Sequence, residues 1–132
     1  MALHLESLAD VNALSSILDA LLRVTERVWQ AGNEKAGKLT LALQEALANA
    51  VLHGCGGDKR KTIHCWIAAD EKEGVQVVVR DPGEGFDVDH EPTPLTRAGK
   101  KMDHGRGIFL MRQLMDAVHF EGRGNEVHLR LK

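Results

Sequence analysis

Glu45 and Asn49 are the residues of this sequence whose types and spacing point most directly to chemistry. They lie four residues apart in the Ala- and Leu-rich stretch 41–50, which predicts a helix. Residues four apart share one helix face, so a carboxylate and a carboxamide meet there inside an apolar run. An amide oxygen is a suitable ligand for Mg²⁺, and a neighbouring carboxylate can polarise an attacking hydroxyl group. The alternative is an amphipathic helix with a polar edge.

A second block, Asp81-Pro82-Gly83-Glu84-Gly85-Phe86, follows a valine-rich run that predicts a strand. A buried carboxylate at a strand end can accept a hydrogen bond from an exocyclic amine such as that of adenine. Gly83 and Gly85 would let the backbone approach a flat base or adopt positive φ. An ordinary Asp-Pro-Gly turn after a strand explains the same residues equally well.

The third block, Gly105-Arg106-Gly107-Ile108, opens a predicted helix. Free backbone N–H groups at a helix N-terminus, with no Cβ in the way, form a cradle for anions. Arg106, together with Arg97, Lys100 and Lys101 before it, would add positive charge toward phosphates, although a charged segment of this kind is often only solvated. The three blocks together predict a site for Mg-ATP.

Two other patterns look like sites and are rejected. Residues 32–38 match most of a P-loop, but Leu39 stands where Ser or Thr must bind magnesium, and the segment joins two predicted helices. Four further residues have no common zinc spacing: His53, Cys55, His64 and Cys65. We expect both cysteines to be free thiols.

The elements that position the three blocks follow from the hydrophobic pattern. Alternation at residues 3–6 predicts a first strand, and Ser7 or Asp10 can cap a helix after it. The predicted apolar stripe of that helix comprises Val11, Leu14, Leu18, Leu21, Leu22 and Val28. Asn33 can cap a second helix, which ends at residues 53–54 with Gly54 in a left-handed C-terminal cap.

The second half of the chain predicts strands and a lid. Alternation in 63–67 and 75–79, around a charged turn, predicts a β-hairpin. Residues 87–104, rich in Pro, Gly and charge, predict a mobile ATP lid. A helix and two strands, at about 117–120 and 127–132, follow. We expect an α+β fold: a two-layer α/β sandwich with helices on one face of a mixed, mainly antiparallel sheet.

Length and composition limit the classes of function. The 132 residues suffice for one domain, 1–132. A net charge of -2 argues against a nucleic-acid partner. Nothing resembles a signal peptide, and no apolar run approaches the roughly 20 residues of a membrane span. We therefore expect a cytoplasmic protein with no membrane partner.

In order and rough spacing, the three blocks resemble the N, G1 and G2 boxes of the GHKL ATPase superfamily. The chain is similar to its compact bacterial branch, the anti-sigma factor serine-protein kinases. This resemblance implies a Bergerat-type ATP-binding fold, with Glu45 as catalytic base, Asn49 on Mg²⁺ and Asp81 on the adenine amino group. The residues predicted to contact or shape the ATP/ADP pocket are Asn49, Asp81, Gly83, Gly85, Phe86, Gly105, Arg106, Gly107 and Ile108. One departure is Gly124-Asn125, where the superfamily usually has Gly-Thr.

By similarity, the predicted reaction is transfer of the ATP γ-phosphoryl group to a serine of an anti-anti-sigma (STAS-domain) protein. Many members of that family also bind a sigma factor, often as homodimers. An alternative is a nucleotide-gated binding module that captures a regulator without turnover. A histidine-kinase fragment acting in trans would need a phosphoacceptor-His domain, which this sequence does not show.

Overall fold

A five-stranded sheet carries three helices in the computed structural model, which describes residues 1–30, 33–83 and 103–132. The strands are β1 (Ala2–Leu8), β2 (Thr62–Asp70), β3 (Gly74–Arg80), β4 (Ala117–Glu121) and β5 (Glu126–Leu131). The helices are α1 (Val11–Thr25), α2 (Glu34–Asn49) and α3 (Asp103–Leu114). A π-helical turn, Ala50–Gly54, continues α2.

The sheet has the strand order β1-β2-β3-β5-β4. Each neighbouring pair is antiparallel, so the parallel component predicted for a mixed sheet is absent from the described strands. The register places Val79 of β3 opposite both Cys65 of β2 and Val127 of β5. Because side chains alternate along a strand, this register aligns the apolar positions of the central strands on one face.

The helices cover that apolar face. The buried strand residues are Ile63, Cys65, Ile67, Val75, Val77, Val79, Val127, Leu129 and Leu131. α1 packs on β1 and β2, α2 packs on β3 and β5, and α3 packs on α2 and β4. The other sheet face carries polar and aromatic side chains, among them His64, Trp66 and His128, that are only partly buried. The predicted two-layer α+β sandwich is confirmed.

Helix α1 begins where its cap predicts. Asp10 Oδ1 accepts a hydrogen bond from Asn12 N at 3.0 Å, which satisfies one of the first free N–H groups. The buried stripe is Leu14, Ile17, Leu21 and Val24. Leu22 was predicted in this stripe and is 41% exposed, because it lies about 100° round the helix from Leu21. The helix ends at Thr25, before the predicted Val28.

Helix α2 is capped by Asn33, whose Oδ1 accepts from Lys35 N at 2.8 Å. The predicted end at residues 53–54 is confirmed, but the last five residues form a π-helical turn, in which Cys55 N donates to Ala50 O at 2.8 Å. The left-handed conformation occurs beyond it, at Gly56 and Gly57. The prediction of a left-handed cap at Gly54 was therefore wrong, and this glycine is needed for another reason.

The predicted ATP lid, 87–104, lies outside the described residues except at its end. Asp103 and His104, assigned to the lid, form the beginning of α3. None of the described helices is both long and apolar enough to cross a bilayer.

Candidate nucleotide site

A cavity of about 220 Å³ opens between α2 with its π-helical turn, α3, and the ends of β3, β4 and β5. Its walls are mostly apolar: Ala46, Ala50, Val79, Met111, Phe120 and Val127. Polar groups enter from Asn49, His53, Asp81 and Asn125. An apolar cavity with a few convergent polar groups is typical of a site for a small organic ligand.

Glu45 and Asn49 lie at one end of this site, one helical turn apart and both half-buried. Gly107 of α3 packs against them: a Cβ there would lie 2.9 Å from Glu45 Oε2 and 3.4 Å from Asn49 Nδ2. The absence of a side chain lets α3 approach α2 at this point. The structure therefore brings the first and third sequence blocks together.

Asp81 lies at the other end, directly after β3. Its N–H donates to Asn125 O at 3.0 Å, and its carbonyl oxygen accepts from Asn125 Nδ2 at 2.9 Å. Asn125 thus binds both backbone polar groups of Asp81. The carboxylate is held as well, because Gly83 N donates to Asp81 Oδ1 at 2.8 Å. The side chain is fixed in one orientation within the cavity wall.

The electrostatic environment of Asp81 favours a ligand that donates a hydrogen bond. Burial raises the pKa of the Asp81 carboxyl, while the Gly83 N–H and the Lys61 charge act in the opposite direction. A carboxylate that is poorly solvated gains from a new hydrogen-bond donor, and an exocyclic amine is such a donor.

Gly54 and Gly83 allow the close packing around Asp81. A Cβ on Gly54 would collide with the Asp81 carboxyl group, and a Cβ on Gly83 would lie 2.8 Å from Gly54 Cα. Neither glycine has a positive φ. Close approach, and not a left-handed backbone, is therefore what requires glycine at both positions.

The predicted site residues divide into three groups. Asn49 and Asp81 line the cavity, Gly83 donates a hydrogen bond to Asp81, and Gly107 packs against Glu45 and Asn49. Gly105 and Arg106 belong to the first turn of α3, while Ile108 is fully buried in the hydrophobic core, where it anchors α3. Gly85 and Phe86 lie outside the described residues, and their roles stay predictions.

The sequence did not predict the apolar wall of the cavity or two contacts of Asp81, those with Gly54 and with Asn125. Val79 and Val127 are register partners on the inward sheet face, so their pattern marks them as core. In the sequence, Gly54 indicated only the end of a helix. Its contact with Asp81 depends on tertiary structure. Asn125 occupies the position where the superfamily usually has Thr, and the structure shows the hydrogen bonds that it makes to Asp81.

Both rejected patterns stay rejected. The P-loop-like segment continues into α2, where Leu39 is fully buried. Cys55 and Cys65 are free, buried thiols, as predicted. Burial raises the pKa of Cys65 to about 12, so this thiol is in its neutral form.

The fold and this cavity define the class of protein. The chain belongs to the histidine kinase-like ATPase domain family, which it matches over residues 8–131. This confirms the superfamily to which the three sequence blocks pointed.

Curated relatives narrow the class further. The chain is 28% identical over 101 residues to the anti-sigma F factor of Bacillus cytotoxicus, which is 73% of this chain and 68% of that protein. It is 28% identical to the anti-sigma F factor of Bacillus thuringiensis, with the same coverage of both chains. It is 32% identical over 89 residues to the serine-protein kinase RsbW of Bacillus subtilis, 63% of this chain and 55% of that protein. These names belong to the anti-sigma branch that the sequence resembles.

Proposed function

We propose that this protein is an ATP-dependent protein-serine kinase that acts as an anti-sigma regulatory factor. The observation that carries the proposal is the pair Glu45 and Asn49, one turn apart against Gly107, in a site whose other end holds Asp81. The printed names of the relatives, anti-sigma F factor and serine-protein kinase, support both parts of the proposal.

The residues fit Mg-ATP. The half-buried Asp81 carboxylate would accept from the adenine amino group, and the apolar wall between Val79 and Met111 would contact the base. Asn49 would offer its amide oxygen to Mg²⁺, an ion that prefers oxygen ligands. Gly107 leaves space beside Glu45 and Asn49 that a Cβ would fill. Bound Mg-ATP supplies the phosphoryl group and the charge neutralisation that its transfer requires.

Glu45 is the proposed catalytic base. As the serine oxygen forms its bond to the γ-phosphorus and the bond to the ADP oxygen breaks, the serine proton passes to the Glu45 carboxylate. The products are ADP and phosphoserine.

The proposed substrate is a STAS-type anti-anti-sigma protein, and a sigma factor is the proposed second partner. Function as a homodimer belongs to the same proposal, because homodimers are frequent in the family that the sequence resembles. Residence in the cytoplasm, expected from the composition of the sequence, belongs to it as well.

The test is phosphate transfer from γ-labelled Mg-ATP into a lysate of the source cell. Wild-type protein is compared with Glu45→Gln and with Gln44→Ala, a control at the exposed neighbouring position of α2. We expect one small protein to be labelled at serine by wild type and control, and a loss of about 10²–10⁴-fold in Glu45→Gln.

Two results would contradict the kinase. Absence of labelling by a preparation that binds ATP would favour the nucleotide-gated binding module instead. Acid-labile label would indicate phosphohistidine, and full activity of Glu45→Gln would remove the role assigned to that carboxylate.

A further inference from the structure

The hairpin formed by β4 and β5 carries two histidines and two glutamates on the sheet face opposite the cavity. His119 and Glu121 are two residues apart on β4, and Glu126 and His128 are two apart on β5, so each pair shares a face. The register places His119 opposite His128 and Glu121 opposite Glu126. Three of these side chains, Glu121, Glu126 and His128, have ligand atoms that all lie within 4.8 Å of one another, and His119 lies beside them. Phe120 and Val127, at the alternate positions, face the cavity.

The ligating atoms of this group lie close together. His128 Nε2 is 2.9 Å from Glu126 Oε2 and 3.3 Å from Glu121 Oε2. His119 Nε2 is 3.3 Å from Glu121 Oε1. In tetrahedral zinc sites the metal lies about 2.0–2.1 Å from nitrogen and oxygen ligands, which spaces neighbouring ligands by about 3.3 Å. The two separations of 3.3 Å match that spacing, and the third, at 2.9 Å, is a hydrogen bond that is shorter.

Two glutamates directly opposite each other are otherwise unfavourable. Like charges at paired positions of a sheet repel. Arg80 compensates weakly, since its guanidinium nitrogen is 4.0 Å from Glu126 Oε1. A divalent cation would remove the repulsion and use the two carboxylates as ligands.

We propose that this hairpin binds one divalent transition-metal ion, Zn²⁺ in preference to Mg²⁺, through Glu121, Glu126 and His128, with His119 as the fourth ligand. Imidazole ligands favour zinc and its neighbours in the periodic table over magnesium and calcium. Glu126 and His128 are the more buried pair, with side-chain exposures of 21% and 35%, and they are preorganised. The more exposed His119 and Glu121 can adjust around the ion.

A metal ion at this position would brace the turn that carries Asn125. Glu121 and Glu126 close that turn, and Asn125 within it binds the backbone of Asp81. The site is nevertheless separate from the one proposed for Mg-ATP, and its test does not depend on kinase activity.

A second group on the same sheet face, His4, Glu6 and His64, serves as the competing site. Its two imidazoles are engaged with each other, with His4 Nε2 3.1 Å from His64 Nδ1, and His4 stacks on Trp66 at 4.6 Å between ring centroids. It offers one carboxylate where the hairpin offers two. We therefore place the preferred site on the hairpin.

The experiment is calorimetric titration of the full chain, without histidine tag or nucleotide, with Zn²⁺ alone after removal of bound metal. We expect one ion per chain, at least tenfold weaker binding in His128→Ala and in Glu126→Gln, and unchanged binding in the control His4→Ala. Titration with Co²⁺ then reports geometry, since a tetrahedral site gives intense visible absorption. Thermal unfolding of each variant checks that it is folded.

Three outcomes would overturn the proposal: no Zn²⁺ binding below millimolar concentration, unchanged binding in folded His128→Ala and Glu126→Gln, or loss of binding in His4→Ala. The last would move the site to the competing group on β1 and β2.

Discussion

The two ends of the proposed nucleotide site are built in different ways. At the proposed adenine end, Asp81 is held by hydrogen bonds to Asn125 and Gly83 and by close contact with Gly54. At the proposed transfer end, Glu45 and Asn49 project from one helix and meet Gly107 of another. The first end depends on contacts between parts of the chain that are distant in sequence, and the second depends mainly on the period of a helix.

Under the proposed function, this difference separates recognition from reaction. A rigid acceptor discriminates between ligands because it cannot adapt to a wrong one, and a general base acts only when it is held beside the reacting atom. Glycines make the contrast testable. A Cβ at Gly54 meets a side chain fixed by hydrogen bonds, and a Cβ at Gly107 meets the ends of two longer side chains.

The largest effect is expected from Gly54→Ala. The added methyl group displaces the Asp81 carboxyl group, and forcing extra volume into a packed site costs about 1–3 kcal/mol of the free energy of unfolding. ATP affinity should fall by about 10–100-fold, because the Asp81 carboxylate, the proposed hydrogen-bond acceptor for adenine, is moved. Urea unfolding and titration with a non-hydrolysable ATP analogue measure the two effects.

Gly37→Ala is the matched control, since a Cβ at Gly37 of α2 meets no atom within 4 Å. Alanine is favoured over glycine in a helix by about 1 kcal/mol, so this variant should be more stable than wild type with unchanged affinity. Equal behaviour of the two variants would contradict the role given to Gly54.

Asp81→Asn should weaken ATP binding without loss of the fold. A hydrogen bond to a charged group contributes about 1.5–3 kcal/mol, which corresponds to roughly 10–100-fold in affinity. Because burial raises the pKa of Asp81, its ionised form is unfavourable in the fold, and the neutral amide should unfold at the same or a higher urea concentration. Competition between ATP and GTP analogues should show lower preference for ATP, and an unchanged preference would argue against adenine at this end.

Gly107→Ala should affect transfer more than binding. The Cβ would lie 2.9 Å from Glu45 Oε2, which can rotate away, so the fold tolerates the change and the base loses its position. We expect about a tenfold fall in phosphotransfer, from a misplaced general base. The free energy of unfolding should not fall, because alanine is a better helix former. Denaturation and single-turnover transfer, measured on the same preparation, separate the effect on the free energy of unfolding from the effect on phosphotransfer. A parallel loss of stability and of transfer would contradict this assignment.

The smallest effect is a pH dependence set by Asp81. Its pKa in the fold is above the ordinary value of 3.8, so the folded state binds this proton more tightly than the unfolded state. The destabilisation caused by Asp81 therefore develops as pH rises from 3.8 through the folded-state pKa, and it is complete above that range. ATP affinity should decrease as pH falls through the same range, because the protonated carboxyl is a poorer acceptor. Asp81→Asn should show a flatter affinity profile by titration at successive pH values.

Sequence patterns predicted the local features of the fold and the placement of Glu45 and Asn49 side by side. Asp10 and Asn33 cap their helices as their residue types indicate, and the spacing of Glu45 and Asn49 places them on one face. These features depend on neighbours within a few residues. Leu22 was misassigned because an unbroken Leu21-Leu22 pair does not reveal which residue faces the sheet.

The surroundings of Asp81, at the proposed adenine end, were only half predicted. Asp81 follows from its position after a valine strand, but its contact with Gly54 requires the π-helical turn, which no local pattern indicated. The apolar wall was missed for a different reason: Val79 and Met111 have the same pattern as core residues that do not line the cavity. The physical chemistry of short segments therefore predicts the placement of polar groups such as Glu45 and Asn49 better than the apolar surfaces that surround them.

The bonds between Asn125 and Asp81 also bear on the order of events in folding. They join residues 44 positions apart, next to the pairing of β3 with β5. Contacts between distant segments form after the entropy of closing the intervening chain has been lost. We expect the adenine end to form after the transition state for folding, so that a bound nucleotide prolongs the lifetime of the native state and leaves the folding rate nearly unchanged.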